Sequence, residues 1–130
     1  MGESGHILVA DDEETVLRTT AALLGEEGYE CDIARDACEV RDLLDKGDYD
    51  LLIADWKMPG NVNLEIVHAV EAAGRRVPVI VITGYPQLGQ AVRAQGLTVF
   101  EEILKPYEFE DLLDAVRRGV EAGRAARPAM

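Results

Sequence analysis

The 130-residue chain has no apolar run long enough to cross a membrane. Its cleanest, VPVIVI (77–82), is six residues, far short of the ~20 a spanning helix needs. The opening MGESGHILVA lacks the basic-then-apolar pattern of a secretory leader. Positive charge is also scarce: 13 Lys and Arg stand against 25 Asp and Glu, a formal net charge of −12. That argues against sequence-independent nucleic-acid binding, which needs a cationic surface. It suits a protein that binds a cation or a basic partner face. Cysteine is limited to Cys31 and Cys38. Without a secretory leader, both are expected to be reduced and buried as small apolar fillers rather than to form a redox pair. The two histidines, His6 and His68, are far apart and lack partners at ligand spacing, which argues against zinc. No internal repeat or low-complexity segment is present.

What is present fits a single domain around one core: 48% hydrophobic and 29% charged residues, the balance of a soluble globular fold. Short apolar runs alternate with helical periodicity. HILVA (6–10) reads as a strand and leads into a helix over 14–27 that Gly28 stops. YECDIA (29–34) is a second strand. Asp36 and Glu39 make a capping box for a helix ending near Lys46. DLLIA (50–54) is the third strand, followed by a loop and a helix over 64–73. VPVIVIT (77–83) is the fourth strand, with Pro78 near its start, where a missing donor is tolerated. A short helix is expected over 87–95 and a fifth strand over 97–104. A last helix runs from Phe109 to about Glu121, with Leu112, Leu113 and Val116 on one face. The closing GRAARPAM (123–130) reads as a disordered tail or linker stub. Apolar strands alternating with helices predict an α/β fold with a parallel sheet covered on both faces.

In such a sheet, ligands gather at the carboxyl ends of the strands. The first strand ends at Asp11-Asp12, the third at Asp55, the fourth at Thr83 and the fifth at Lys105-Pro106. Singly, each of these residues makes an ordinary turn or cap; four strand ends of this kind on one edge make a site. Two carboxylates about 4 Å apart repel by roughly 4 kcal/mol at an effective dielectric near 20, so three call for a cation. An all-oxygen donor set selects a hard ion, Mg²⁺ or Mn²⁺, and Mg²⁺ commonly meets phosphate. A carboxylate beside such an ion, with Lys and Thr donors nearby, has the makings of a phosphoryl acceptor. This explains why the apolar run LLIA ends in a carboxylate at Asp55.

Taken in order, ILVADDE, LLIADWKMPG, VIVITGYP and LKPYEFEDLL resemble the receiver domain of two-component response regulators, over roughly residues 6 to 120. The resemblance implies a flavodoxin-like, doubly wound (βα)5 fold with strand order 2-1-3-4-5, a receiver domain over 1–122 and a tail over 123–130. It implies that Asp55 is the phosphoacceptor, that Asp12 binds Mg²⁺ directly and Asp11 through water, and that the Lys57 carbonyl completes the metal shell. Thr83 is implied to bond a phosphoryl oxygen and Lys105 to pair with the phosphate. The Lys105–Pro106 bond is often cis in the family. The implied donor is a phosphohistidine on a sensor histidine kinase or histidine phosphotransfer protein, and the output is contact with a downstream effector. The implied setting is cytoplasmic, without membrane or direct nucleic-acid contact. The only implied catalysis is self-catalysed phosphotransfer and autodephosphorylation.

The chain departs from the family pattern in places. The usual aromatic three positions before the lysine is Glu102, with Phe100 two residues earlier, and a period of two puts both on one face. Val62 and Asn63 replace the usual Asp-Gly turn, and Lys57 and Tyr85 sit two residues after Asp55 and Thr83. The alternative to a phosphorylatable switch is a pseudo-receiver, a binding module of the same fold not controlled by phosphate. A haloacid-dehalogenase-type phosphatase would need Asp-x-Asp at the nucleophile, where this chain has Asp55-Trp56-Lys57. A flavin binder would need a phosphate-cradling loop after the first strand, where this chain has four consecutive acids.

Overall fold

Short runs of apolar residues build the sheet in the computed structural model, which describes residues 5–57, 65–72, 77–84 and 99–125. The elements are β1 (His6–Ala10), α1 (Glu14–Glu26), β2 (Glu30–Ala34), α2 (Ala37–Lys46), β3 (Leu51–Asp55), α3 (Glu65–Ala72), β4 (Val79–Thr83), β5 (Glu101–Leu104) and α4 (Phe109–Ala125). The five strands pair in parallel in the order β2-β1-β3-β4-β5, the doubly wound order expected. The helix expected over 87–95, the loop carrying Val62 and Asn63, and Tyr85 lie outside the described residues.

Successive side chains of a strand point to opposite faces, and the two cores divide accordingly. Ile7 and Val9, Leu51 and Ile53, and Ile80 and Ile82 pack with Leu17 and Leu24 of α1 and Leu112, Val116 and Val120 of α4. Leu8 and Ala10, Leu52 and Ala54, and Val79 and Val81 pack on the other face, with Val40 and Leu44 of α2 and Ile66, Ala69 and Val70 of α3. Every residue of β3 and β4 is buried, as central parallel strands covered on both faces require.

Local signals set the helix ends. Gly28 takes φ +100°; its N–H reaches the Gly25 carbonyl and the Tyr29 N–H reaches that of Leu24. These paired bonds close α1 in a Schellman motif. Asp36 caps α2 by accepting from the Glu39 N–H at 2.8 Å. Glu39 reaches back one residue further than a standard capping box, accepting from the Arg35 N–H at 2.6 Å.

Three expectations are corrected. The last helix does not stop near Glu121 but continues through Ala125 with Gly123 buried, so residues 123–125 are helical, three residues into the expected tail. Cys38 is exposed, because it falls on the outer side of the α2 turn whose Ala37 and Val40 enter the core. Cys31 is half-buried, and burial, with the charges of Asp32 and Glu30, pushes its thiol up to about 11, which leaves it the inert filler expected. Phe100 does not share a face with Glu102. It precedes β5 and packs with the α1–α4 core that takes Ile103, because a bend at residue 100 breaks the alternation.

Candidate functional site

The same alternation that builds the core delivers three polar side chains to one edge. Asp11 continues the series Ile7, Val9; Asp55 continues Leu51, Ile53; Lys105 follows Ile103 by two. Each therefore leaves its strand toward the α1–α4 face. The ladder extends one step past the strands to hold these ends. The Asp11 N–H bonds the Ala34 carbonyl at 3.1 Å, the Trp56 N–H bonds that of Ile82 at 3.0 Å, and the Lys105 N–H bonds that of Thr83 at 2.9 Å. The Lys105–Pro106 peptide is cis.

Carboxylate oxygens of Asp11, Asp12 and Asp55 lie within 4.8 Å of one another. Asp11 and Asp55 are each 5% exposed, while Asp12 faces solvent. Lys105 Nζ donates to Asp55 Oδ2 at 2.6 Å, and the Lys57 N–H donates to Asp55 Oδ1 at 3.1 Å. The Glu13 N–H donates to Asp11 Oδ1 at 2.9 Å. Backbone donors thus fix the orientation of both buried carboxylates. Thr83 is buried at the same edge, but it belongs to the Val79, Val81 series and enters from the other face. The Lys57 side chain is exposed.

The electrostatics are those of a crowded anionic pocket. Burial, joined by the charges of Asp55 and Asp12, raises the Asp11 carboxyl against the Glu13 hydrogen bond and the Lys105 charge. Partial burial opposes the Lys105 ammonium, yet the hydrogen bond and charge of Asp55, with Asp11 and Glu13 behind it, hold it above its ordinary value. The donor set is all oxygen and carries three carboxylates against one bonded ammonium, so it fits a hard divalent ion.

Tyr107 was not anticipated as part of this neighbourhood. It packs half-buried against the α1–α4 core. Burial and the charge of Asp11 raise its phenol, with Lys105 opposing and Asp55 adding to the effect. Its one sequence signal is its position two residues after Lys105. Beside the pocket, Glu14 holds Arg35 through Oε1 at 2.8 Å and Oε2 at 3.1 Å and also pairs with Arg18. Hydrogen bonds from the two arginines lower its carboxyl to about 2.

Comparison with known proteins agrees with this geometry. The family model of the response regulator receiver domain matches residues 7–117. The uncharacterized transcriptional regulatory protein YkoG of Bacillus subtilis is 31% identical over 115 residues, covering 88% of this chain but only 50% of that protein. The chain spans about half the length of such regulators. Sporulation initiation phosphotransferase F of the same organism is 26% identical over 112 residues, with 86% of this chain and 90% of that protein covered. Among solved structures, the response regulator TrrA of Thermotoga maritima, in complex with Mg²⁺ and beryllofluoride, superposes with a TM-score of 0.77 at 30% identity. That match covers 88% of this chain and 98% of TrrA. A receiver domain protein from Clostridium thermocellum gives 0.79 at 28% identity, covering 95% and 99%. With its strand order, its convergent strand ends and a family match over nearly its whole length, this chain belongs to the response regulator receiver domain family.

Proposed function

We propose that the chain is a phosphorylatable receiver in which Asp55 accepts a phosphoryl group in a Mg²⁺-dependent reaction. The observation that carries this reading is the meeting of the Asp11 and Asp12 carboxylates and the Lys105 ammonium around the buried Asp55. Asp11, Asp12 and Asp55, with the Lys57 carbonyl, are the residues that would hold Mg²⁺. When bound, the ion neutralises negative charge on the transferring phosphoryl group. In the transfer, an Asp55 carboxylate oxygen forms a bond to phosphorus as the P–N bond of the phosphohistidine breaks. The imidazole leaves with the electron pair and takes a proton. Hydrolysis by water returns the carboxylate and inorganic phosphate. Lys105, already against Oδ2, meets the charge that arrives there, and Thr83 supplies a hydroxyl to a phosphoryl oxygen. Positioning and electrostatics carry the rate, as in phosphoryl transfer generally.

The donor in this reading is a sensor histidine kinase or histidine phosphotransfer protein, and the output is a changed contact with an effector. Glu102 at the position usually held by an aromatic sets this chain apart in how the signal leaves the site. The relatives that are transcriptional regulators carry further polypeptide, and the net charge of −12 supports output from this stretch through protein rather than nucleic acid. A cytoplasmic setting belongs to the same reading.

The test is intact mass after incubation with Mg²⁺ and acetyl phosphate. The wild type gains one phosphoryl group, which is absent without Mg²⁺ and absent in Asp55→Asn. No adduct, together with no Mg²⁺ binding by titration, would replace this reading with that of a pseudo-receiver.

A further inference from the structure

On the α2–α3 face of the sheet, a cavity of about 330 Å³ opens between the two helices. That lies at the lower end of the ~300–1,000 Å³ that small-molecule sites occupy. Side chains of ordinary size would fill the space between two packed helices. Here Ala37 of α2 lines one wall and Ala69 and Ala72 of α3 line the other, and three methyl groups leave a gap. Ala37 and Ala69 are buried in the core that holds Trp56, the residue after Asp55. The walls are therefore anchored to the sheet rather than formed by loose surface side chains.

Arg41 lines the same cavity. Arg18, Arg35, Arg117 and Arg118 each hold a carboxylate, whereas Arg41 makes no ion pair among the described residues. A guanidinium left over beside an apolar wall, in a chain of net charge −12, is a specific place for an anion, and its planar fork matches a carboxylate. The other polar groups of the lining narrow the choice. Glu65, the first residue of α3, stands on the same lining and disfavours a ligand with several negative charges. His68 already has the Glu71 carboxylate 4.0 Å away. A rigid apolar body loses the least freedom on entering so small a site. A partner helix fits worse, because its apolar face needs anchors over two turns. We propose that this cavity binds a small, planar, apolar molecule carrying one carboxylate, with its flat body against the three alanines and its carboxylate on Arg41.

The cavity carries its own reporter. Cys38 lines it and is exposed, so a ligand seated there shields the thiol from alkylation. Cys31 interferes little, since it is half-buried and its thiol is pushed up to about 11. The experiment follows alkylation of the full chain by N-ethylmaleimide, read by intact mass, with 2-naphthoate as the probe and 2-naphthamide as its uncharged counterpart. The carboxylate is expected to slow Cys38 alkylation several-fold at saturation. The concentration needed is expected to rise roughly ten-fold in Arg41→Gln, the loss of a charge-assisted pair, and to be similarly high for the amide in the wild type. Ala72→Leu, which fills the cavity from its exposed side, is expected to abolish the protection. No slowing by millimolar 2-naphthoate in the wild type would overturn the proposal. So would equal protection by the amide, or protection unchanged in Arg41→Gln. Neither Mg²⁺ nor a phosphoryl donor is present, so the result is independent of the chemistry at Asp55.

Discussion

Gly123→Ala lowers the melting temperature by about 10 °C, whereas Gly119→Ala shifts it by only a few degrees. Both glycines lie inside α4 on its buried face, and in an exposed helix either change would gain about 1 kcal/mol of propensity. What opposes the gain differs at the two positions. A Cβ at Gly119 would meet Leu51 Cδ1 at 2.7 Å, the end of a side chain that can shift. A Cβ at Gly123 would lie 1.9 Å from the Asp50 carbonyl oxygen and 2.8 Å from its carbon. Those atoms cannot yield without moving the start of β3, whose neighbour Leu52 bonds the Pro78 carbonyl. The net loss is about 3 kcal/mol, at the upper end for forcing extra volume into a packed site. Thermal unfolding of the two variants beside wild type checks this. A Gly123→Ala protein that melts with the wild type would detach residues 123–125 from the domain and return its boundary to residue 122.

This glycine also shows where the sequence was hard to read. In GRAARPAM, a glycine followed by small residues and a proline carries the signs of a helix stop. The demand for hydrogen at Gly123 comes from Asp50, 73 positions away, and has no local trace. The same holds for Tyr107, which comes near Asp11 only through the fold, and for Phe100, whose bend defeats a period-two argument. The site itself was legible for the opposite reason. In a parallel sheet every carboxyl end lies on one edge, so Asp11, Asp12, Asp55 and Lys105 could be brought together by topology alone. The backbone N–H groups of Glu13 and Lys57 that orient the two buried carboxylates could not, since any residue could supply them.

The second large effect has opposite signs with and without metal. Asp11→Asn raises the melting temperature of the metal-free protein by roughly 4 °C, about 1 kcal/mol in a chain of this size. It also weakens Mg²⁺ binding by ten-fold or more. The asparagine oxygen can still accept the Glu13 N–H, so local geometry is kept while a buried charge beside Asp55 and Asp12 is removed. Burial raises the Asp11 carboxyl in the fold, so this group favours folding only while protonated. Its contribution is full below the unfolded carboxylate value of about 3.9 and is lost as pH rises through the higher folded value. The advantage of the variant is therefore expected at neutral pH and shrinks as pH falls toward 4. Saturating Mg²⁺ removes it as well, because the wild type gains the larger binding stabilisation. Melting curves at two pH values, with and without Mg²⁺, decide the matter. A variant less stable than wild type in metal-free buffer at pH 7 would show that the pocket is not strained by its own charge.

At the centre of the proposed function, Asp55, a divalent ion and a phosphoryl-sized anion share one site. Fluorine NMR of the protein with beryllofluoride and Mg²⁺ tests it most directly, because this phosphoryl mimic is not lost to hydrolysis. Bound fluorine signals are expected that need both Mg²⁺ and the Asp55 carboxylate, vanishing on chelation and in Asp55→Asn. An absence of bound signal at saturating Mg²⁺, or a signal that persists in Asp55→Asn, would contradict it.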